Sequence, residues 1–192
     1  MHFENKDLKF NRKENMSQVK WFDRKFDFTH TENIFPSIIE RLSGTPLRLE
    51  SKLRSIDKLI LENRVGNTWS IKENAGHLTD LEPLWRGRLE DIITGAAEMR
   101  LTDLSNAQTT LANHNAKSID TLIEHFYNTR NQTVAILNTL DETTIFKSAL
   151  HPRLKTPMRT LDLFLFVAEH DDHHLARITE LSGWLANTQF GR

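Results

Sequence analysis

Three histidines and two aspartates stand together in "EHDDHHLARI", residues 169–178, inside a run that is otherwise apolar. On a helix turning about 100° per residue, Leu163, Phe164, Val167, Leu175, Ile178, Leu181 and Leu185 form one broad stripe. His174 falls within it, His170 sits on its border one turn earlier, and Asp171 is on the same side. Asp172 and His173 fall outside, toward solvent. A histidine pair at i, i+4 presents two imidazoles to one ion. Neutral imidazole nitrogens suit zinc, nickel, copper or iron. Two ligands hold an ion weakly, so a third must come from another element. "WSIKENAGHLTDLE", residues 69–82, offers His77 at the edge of the Leu78 and Leu81 stripe. Three histidines from two helices, with one coordination position left open, is the pattern of a catalytic metal rather than a structural one. On spacing alone the competing reading, hydrogen-bonded core histidines, stays open.

The neighbouring acids have two readings each. Asp80 and Asp171 can accept hydrogen bonds from ligand imidazoles or pair with a cation on a neighbouring helix. Together with Glu82 they are also the candidates for a general base. Glu73 is expected to be taken up by a helix cap. His114 lies in a long loop from which it could reach the site, though it reads first as a solvated loop residue; His125 and His151 read as packing or surface, and His2 and His30 lie near the N-terminus.

These groups need a scaffold. A chain of 192 residues suits one domain and buries a core without metal or disulfide support, so a metal here would serve chemistry. The net charge of -1 gives no basic field for nucleic acid. Cysteine is absent, which excludes a thiolate metal site and a cysteine nucleophile. No apolar run is long enough to span a bilayer, and the polar start "MHFENKDLKFNRKENMSQVKW" has no signal core. The expectation is a cytoplasmic protein with a small-molecule substrate, no nucleic-acid partner and no membrane partner. Residues 1–20 read as a polar extension and 21–192 as the domain, with Met16 a candidate alternative start.

The periodicity predicts helices throughout and no strand. A first helical region over "FPSIIERLSGTPLRLESKLRSIDKLILENR" should break at Gly44 and restart at Thr45-Pro46. A second helix should start at Ser70, whose spacing to Glu73 is that of a capping box, pass through Pro83 with a bend, and end near Gly95. Residues 96–116 lack a stripe and read as a long loop covering a functional site. Ser118 should cap a third helix, and Thr156-Pro157 should open a fourth that runs to about Trp184. Four helices with long connections make an all-α four-helix bundle. Trp85 and the 96–116 segment should shape a pocket. Phe22, Phe26 and Phe28 should form either a dimer surface or a lid on the end of the bundle.

"TWSIKENAGHLTDLEPLWRGRL" and "HDDHHLARI" together resemble the DinB/YfiT-like superfamily of metal-binding four-helix bundles. In that family a Trp-Ser/Thr start precedes a ligand histidine by eight residues, here Trp69 and His77. The last helix carries two more, here His170 and His174, with His173 as the extra histidine before the third. The resemblance runs from about Trp21 to Trp184. It implies a divalent transition-metal site, with zinc or nickel as examples, and a metal-dependent hydrolase or a low-molecular-weight-thiol S-transferase. A non-catalytic metal- or small-ligand-binding bundle is the alternative. The family name implies no DNA binding, and a homodimer is the expected oligomer.

Overall fold

The computed structural model describes residues 18–189. The polar start and the question of Met16 lie mostly outside them. Helix α1 spans Phe35–Ser55, α2 Ile71–Ile93, α3 Ala107–Leu111, α4 Ile119–Leu137 and α5 Glu142–Phe146. Strands β1 (Ser148–Leu150) and β2 (Pro157–Arg159) form an antiparallel pair, and α6 spans Thr160–Gln189. The four long helices make the bundle. Both α1 and α2 pack against both α4 and α6, so the consecutive helices α1 and α2 stand at opposite corners.

The apolar core is in two halves. One contains Phe35, Ile38 and Leu42 of α1, Trp85 and Leu89 of α2, and Phe164 and Val167 of α6. The other contains Leu49 and Leu53, Ile71 and Leu78, Phe126, and Ile178 and Leu181. Every long helix therefore crosses a polar layer midway. Arg130 of α4 is at its centre and is fully buried. Its Nε donates to Glu82 Oε1 of α2 at 2.7 Å, its Nη2 to Asp171 Oδ1 of α6 at 3.0 Å, and its Nη1 to the Leu42 carbonyl of α1 at 3.3 Å. Thr133 also donates to Glu82, and Arg86 Nη1 lies 3.9 Å from it. Burial alone would disfavour the Arg130 charge, but Asp171 and Glu82 together raise its pKa above the ordinary arginine value.

This layer explains the first departure from the sequence reading. Helix α1 runs unbroken through Gly44, Thr45 and Pro46. Proline lacks the N–H that would bond the carbonyl four residues back, a loss of about 3 kcal/mol in an ordinary helix. Here that carbonyl is Leu42, and Arg130 takes it. Thr45 bonds back to the Arg41 carbonyl at 2.9 Å. Helix α2 starts as expected, with both halves of the Ser70–Glu73 capping box formed, and continues through Pro83.

Residues 96–116 are a folded strap rather than a loop. Met99 N–H and the Leu150 carbonyl are paired at 2.9 Å, α3 follows, and His114–Ala116 form a 3-10 turn. The expected start of the last helix at Thr156-Pro157 is also corrected, because a hairpin intervenes. Lys155, in the left-handed region at φ 54°, turns the chain back onto His151. Pro157 then pairs opposite Leu150, and the helix opens only at Thr160. Among the described residues no helix is long and apolar enough to cross a membrane.

Removing one partner of a buried ion cluster strands the others. Arg130→Met should lower the unfolding free energy by about 3–5 kcal/mol, read from urea denaturation. Adding Glu82→Met and Asp171→Leu should recover much of that loss. A single variant as stable as wild type would contradict the central place given to Arg130.

Candidate metal centre

His77, near the start of α2, and His170 and His174 on α6 each offer a ring nitrogen, and these atoms all lie within 4.8 Å of one another. All three side chains are buried. The Nε2 atoms of His170 and His174 are 3.2 Å apart. The partners of the other ring nitrogens fix which atom bears the proton. Asn74 donates its amide to the Ser70 carbonyl at 2.8 Å, which turns Oδ1 toward His174 Nδ1 at 3.0 Å. His174 therefore donates from Nδ1 and keeps a lone pair on Nε2. His77 Nδ1 lies 2.9 Å from Thr109 Oγ1. A ring that donates there keeps its Nε2 lone pair free. His170 Nδ1 is buried without a partner. Burial, above all, holds His170 and His174 well below the ordinary histidine pKa, with the neighbouring imidazoles adding to it. Burial also lowers His77 to about 4, against the opposing pull of Asp80. Converging lone pairs on three neutral imidazoles fit a divalent cation of borderline softness.

The trio is on the wall of a cavity of about 290 Å³, with Trp21, Trp69, Trp85 and Phe166 among its other walls. Trp69 lies against His77 at 4.5 Å between ring centroids and stacks on His174 at 6.1 Å. Thr102, Asp103, Leu104 and Asn106 of the strap complete one side.

Several assignments change with the geometry. His173 is half-buried rather than turned out to solvent: its ring lines the cavity, 5.4 Å from Trp21, with Nδ1 buried and unpartnered. The segment before α1 covers that face of α6, with Arg24 paired to Glu169 at 2.5 Å and Trp21 against His170 at 5.0 Å. Phe26 packs on Phe166 at 4.9 Å in the same cover. Asp172 does point outward, to Arg41 and Arg48. Asp171 and Glu82 are bound to Arg130 and do not line the cavity. Asp80 makes no hydrogen bond to His77 and is paired with His114 at 2.8 Å instead. His114 is buried rather than solvated.

The sequence held a signal for that last seat. A Cβ at Gly76 would come within 2.2 Å of His114 Nδ1, and one at Gly87 within 2.2 Å of Arg100 Nη1. Two glycines inside a long helix mark two close approaches, and both are made by the strap. His151 is a cavity residue rather than packing or surface, and Arg88, which no motif singles out, stands beside it. They line the cavity and meet at 3.1 Å.

The buried neutral histidines set a pH dependence. Unfolded histidine takes up a proton near pH 6.5, whereas His77 and His151 in the fold wait until about 4. The unfolded chain thus binds more protons between those values. Stability of the metal-free protein should fall as pH drops below 6.5, by up to about 1.4 kcal/mol per pH unit for each such histidine. Urea midpoints at pH 7.5, 6.5 and 5.5 with a chelator present should fall mainly in the last step. A flat profile would count against neutral burial.

The profile of the DinB superfamily matches residues 28–178. No curated protein matches. Among solved structures, the chain is similar to YfiT from Bacillus subtilis, described as a probable metal-dependent hydrolase with an unusual four-helix bundle topology. The identity is 21%, the TM-score 0.72, and the alignment covers 85% of this chain and 94% of that one. A mycothiol-dependent maleylpyruvate isomerase aligns at 9% identity and TM-score 0.59, over 74% of this chain and 59% of its own. The sibling lethal factor precursor DfsB aligns at 16% identity and TM-score 0.57, over 78% and 95%. Helix order, bundle topology and a profile match running from the N-terminal cover into α6 agree: the chain belongs to the DinB superfamily.

Proposed function

We propose that the chain is a divalent-metal-dependent enzyme that transfers a low-molecular-weight thiol to a small electrophilic substrate. Hydrolysis of a small molecule is the second reading. The observation that carries the proposal is the convergence of His77, His170 and His174, buried and neutral, on the wall of a cavity. These three residues would hold the cation, with zinc or nickel suited to the donor set. Bound there, a divalent cation supplies a Lewis acid that makes a nucleophile's proton leave at neutral pH.

The residues around the trio do the rest. Asn74 and Thr109 orient His174 and His77 through their far ring nitrogens. Trp21, Trp69 and Trp85 exclude water and give an apolar substrate body a surface. Among the described residues Asp103 is the carboxylate on the cavity wall, and it is engaged by Ser105 and the Ala107 N–H. Glu82 and Asp171 are spent on Arg130. With no free carboxylate base on that wall, the nucleophile that needs least help is favoured. Held by the cation, a thiol would be deprotonated outright, whereas water would come down only to a pKa of about 7. The mycothiol dependence of one similar structure supports this reading, and the description of YfiT supports hydrolysis.

Purified protein dialysed against zinc and measured by elemental analysis should retain about one metal per chain, given one three-histidine site. His77→Ala, His170→Ala and His174→Ala should each lose it, and His173→Ala should keep it. Wild type and His174→Ala carrying equally little metal would overturn the site. The activity should be conjugation of glutathione-like or bacillithiol-like thiols, abolished by chelation. Ester or amide hydrolysis abolished by chelation would select the second reading. Activity that survives chelation, or metal binding with neither activity, would overturn the enzyme reading, the last in favour of a non-catalytic metal-binding bundle.

A further inference from the structure

The cavity has a second polar corner, away from the trio. Arg88 of α2 is only 2% exposed, and its ring of partners is incomplete. Nε donates to the Arg100 carbonyl at 3.2 Å, Nη1 faces His151 Nε2 at 3.1 Å, and Nη2 is buried with no partner. No carboxylate among the described residues pairs with it. The His151 contact does not complete it. His151 Nδ1 accepts the backbone N–H groups of Arg153 at 3.2 Å and Leu154 at 3.1 Å. A neutral ring that accepts at Nδ1 carries its proton on Nε2. Two donors, Arg88 Nη1 and His151 Nε2, therefore face each other with no acceptor between them. Arg153 also lines the cavity. It lies over the Phe22 ring at 5.1 Å and has no carboxylate partner among the described residues. The two arginines repel, and that repulsion, after burial, pushes Arg88 down to about 10, still protonated at neutral pH.

A buried guanidinium with an unpartnered Nη2, a histidine N–H turned toward it and a second arginine without a carboxylate partner is a donor set that lacks an acceptor. We propose that this corner binds the carboxylate of the substrate, so that the protein acts on small carboxylic acids with an apolar body. A guanidinium bonds a carboxylate with charge assistance, and Arg88 Nη2 and His151 Nε2 are donors left without an acceptor. Arg88 lies over Trp85 at 5.6 Å, and Trp85 meets His170 edge-on at 5.7 Å between centroids. One indole thus separates the anion corner from the trio. A ligand anchored at Arg88 lays its apolar body along Trp85 and presents its far end to the histidines. This names the substrate class of the proposed enzyme and rests on that reading for the chemistry, but the binding itself depends on the arginines and His151 rather than on the cation.

The test measures binding rather than turnover, using the full chain both zinc-loaded and chelated. The probes are phenylacetate, its uncharged amide phenylacetamide, and phenyl phosphate, followed by tryptophan fluorescence and calorimetry. Phenylacetate should bind about tenfold or more tightly than the amide, as charge-assisted two-point contacts imply, and this preference should survive chelation. Arg88→Met should bring the acid-to-amide ratio close to one without changing zinc content. Arg153→Gln, a milder change at the rim, should lower the ratio severalfold and gives the answer should Arg88→Met not fold. A ratio near one in wild type overturns the proposal. So does a preference that vanishes on chelation and ignores both arginines, since the acid would then be a metal ligand. Phenyl phosphate binding tenfold tighter than phenylacetate overturns the carboxylate assignment. Failure of the metal reading is separate: it shows as absent zinc in wild type, whatever the acid-to-amide ratio.

Discussion

One buried guanidinium holds the arrangement together. Arg130 reaches from α4 to a carboxylate on α2, a carboxylate on α6 and a backbone carbonyl on α1. Each contact has a direction, unlike the apolar packing above and below it. Leucine and phenylalanine faces tolerate rotation and slippage of a helix by a fraction of a turn. A fork with fixed donors does not. Glu82 follows His77 by five residues on α2, and Asp171 sits between His170 and His174 on α6. By fixing Glu82 and Asp171 against one group, Arg130 sets the rotation and register of the two helices whose histidines must meet. Such an ion cluster adds little net stability over an apolar layer of the same volume. Its use here is specification of position.

The covers over the trio follow from the same division of the bundle. The polar layer interrupts the core at the level of the histidines, so apolar packing cannot close that level. Two segments outside the four helices do so instead. The one before α1 lays Trp21 across His170 and His173. The strap of residues 96–116 places Thr109 on His77 and seats His114 where Gly76 leaves room. Both covers carry polar groups that finish the site, and neither has a long helix of its own.

How much of this could be read beforehand depended on whether the deciding interaction was local. The capping box at Ser70 and Glu73 is a contact over three residues, and its spacing shows it directly. The shared face of His170 and His174 follows from helical periodicity alone. The continuity of α1 through Pro46 could not be read that way, because the group that satisfies Leu42 comes from α4, far along the chain. The same holds for His173. A wheel assigns it to solvent, and only the folding of Trp21 over α6 brings it to the cavity. The hairpin of β1 and β2 is three residues per strand, too short for alternation to rise above its neighbours. Asp171 was ambiguous between orienting a ligand and pairing with a cation, and the cation that decides it is forty-one residues away.

The charge distribution that results also bears on chemistry. The acids near the middle of the bundle, Glu82 and Asp171, are drawn inward to Arg130 and away from the cavity. The charged groups left on the cavity wall are Asp103, already engaged by Ser105 and the Ala107 N–H, and the cations Arg88, Arg153 and Arg177, beside neutral histidines and tryptophans. A divalent ion on three neutral imidazoles would keep its full charge, with no anionic ligand to offset it. Such a wall stabilises negative charge as it develops and offers little help in removing a proton from a weak acid. The structural role of Arg130 and the character of the site are therefore linked. The carboxylates that fix the helix register are the ones that would otherwise have served as bases, and their removal from the wall leaves a cavity suited to anions and to nucleophiles that ionise readily.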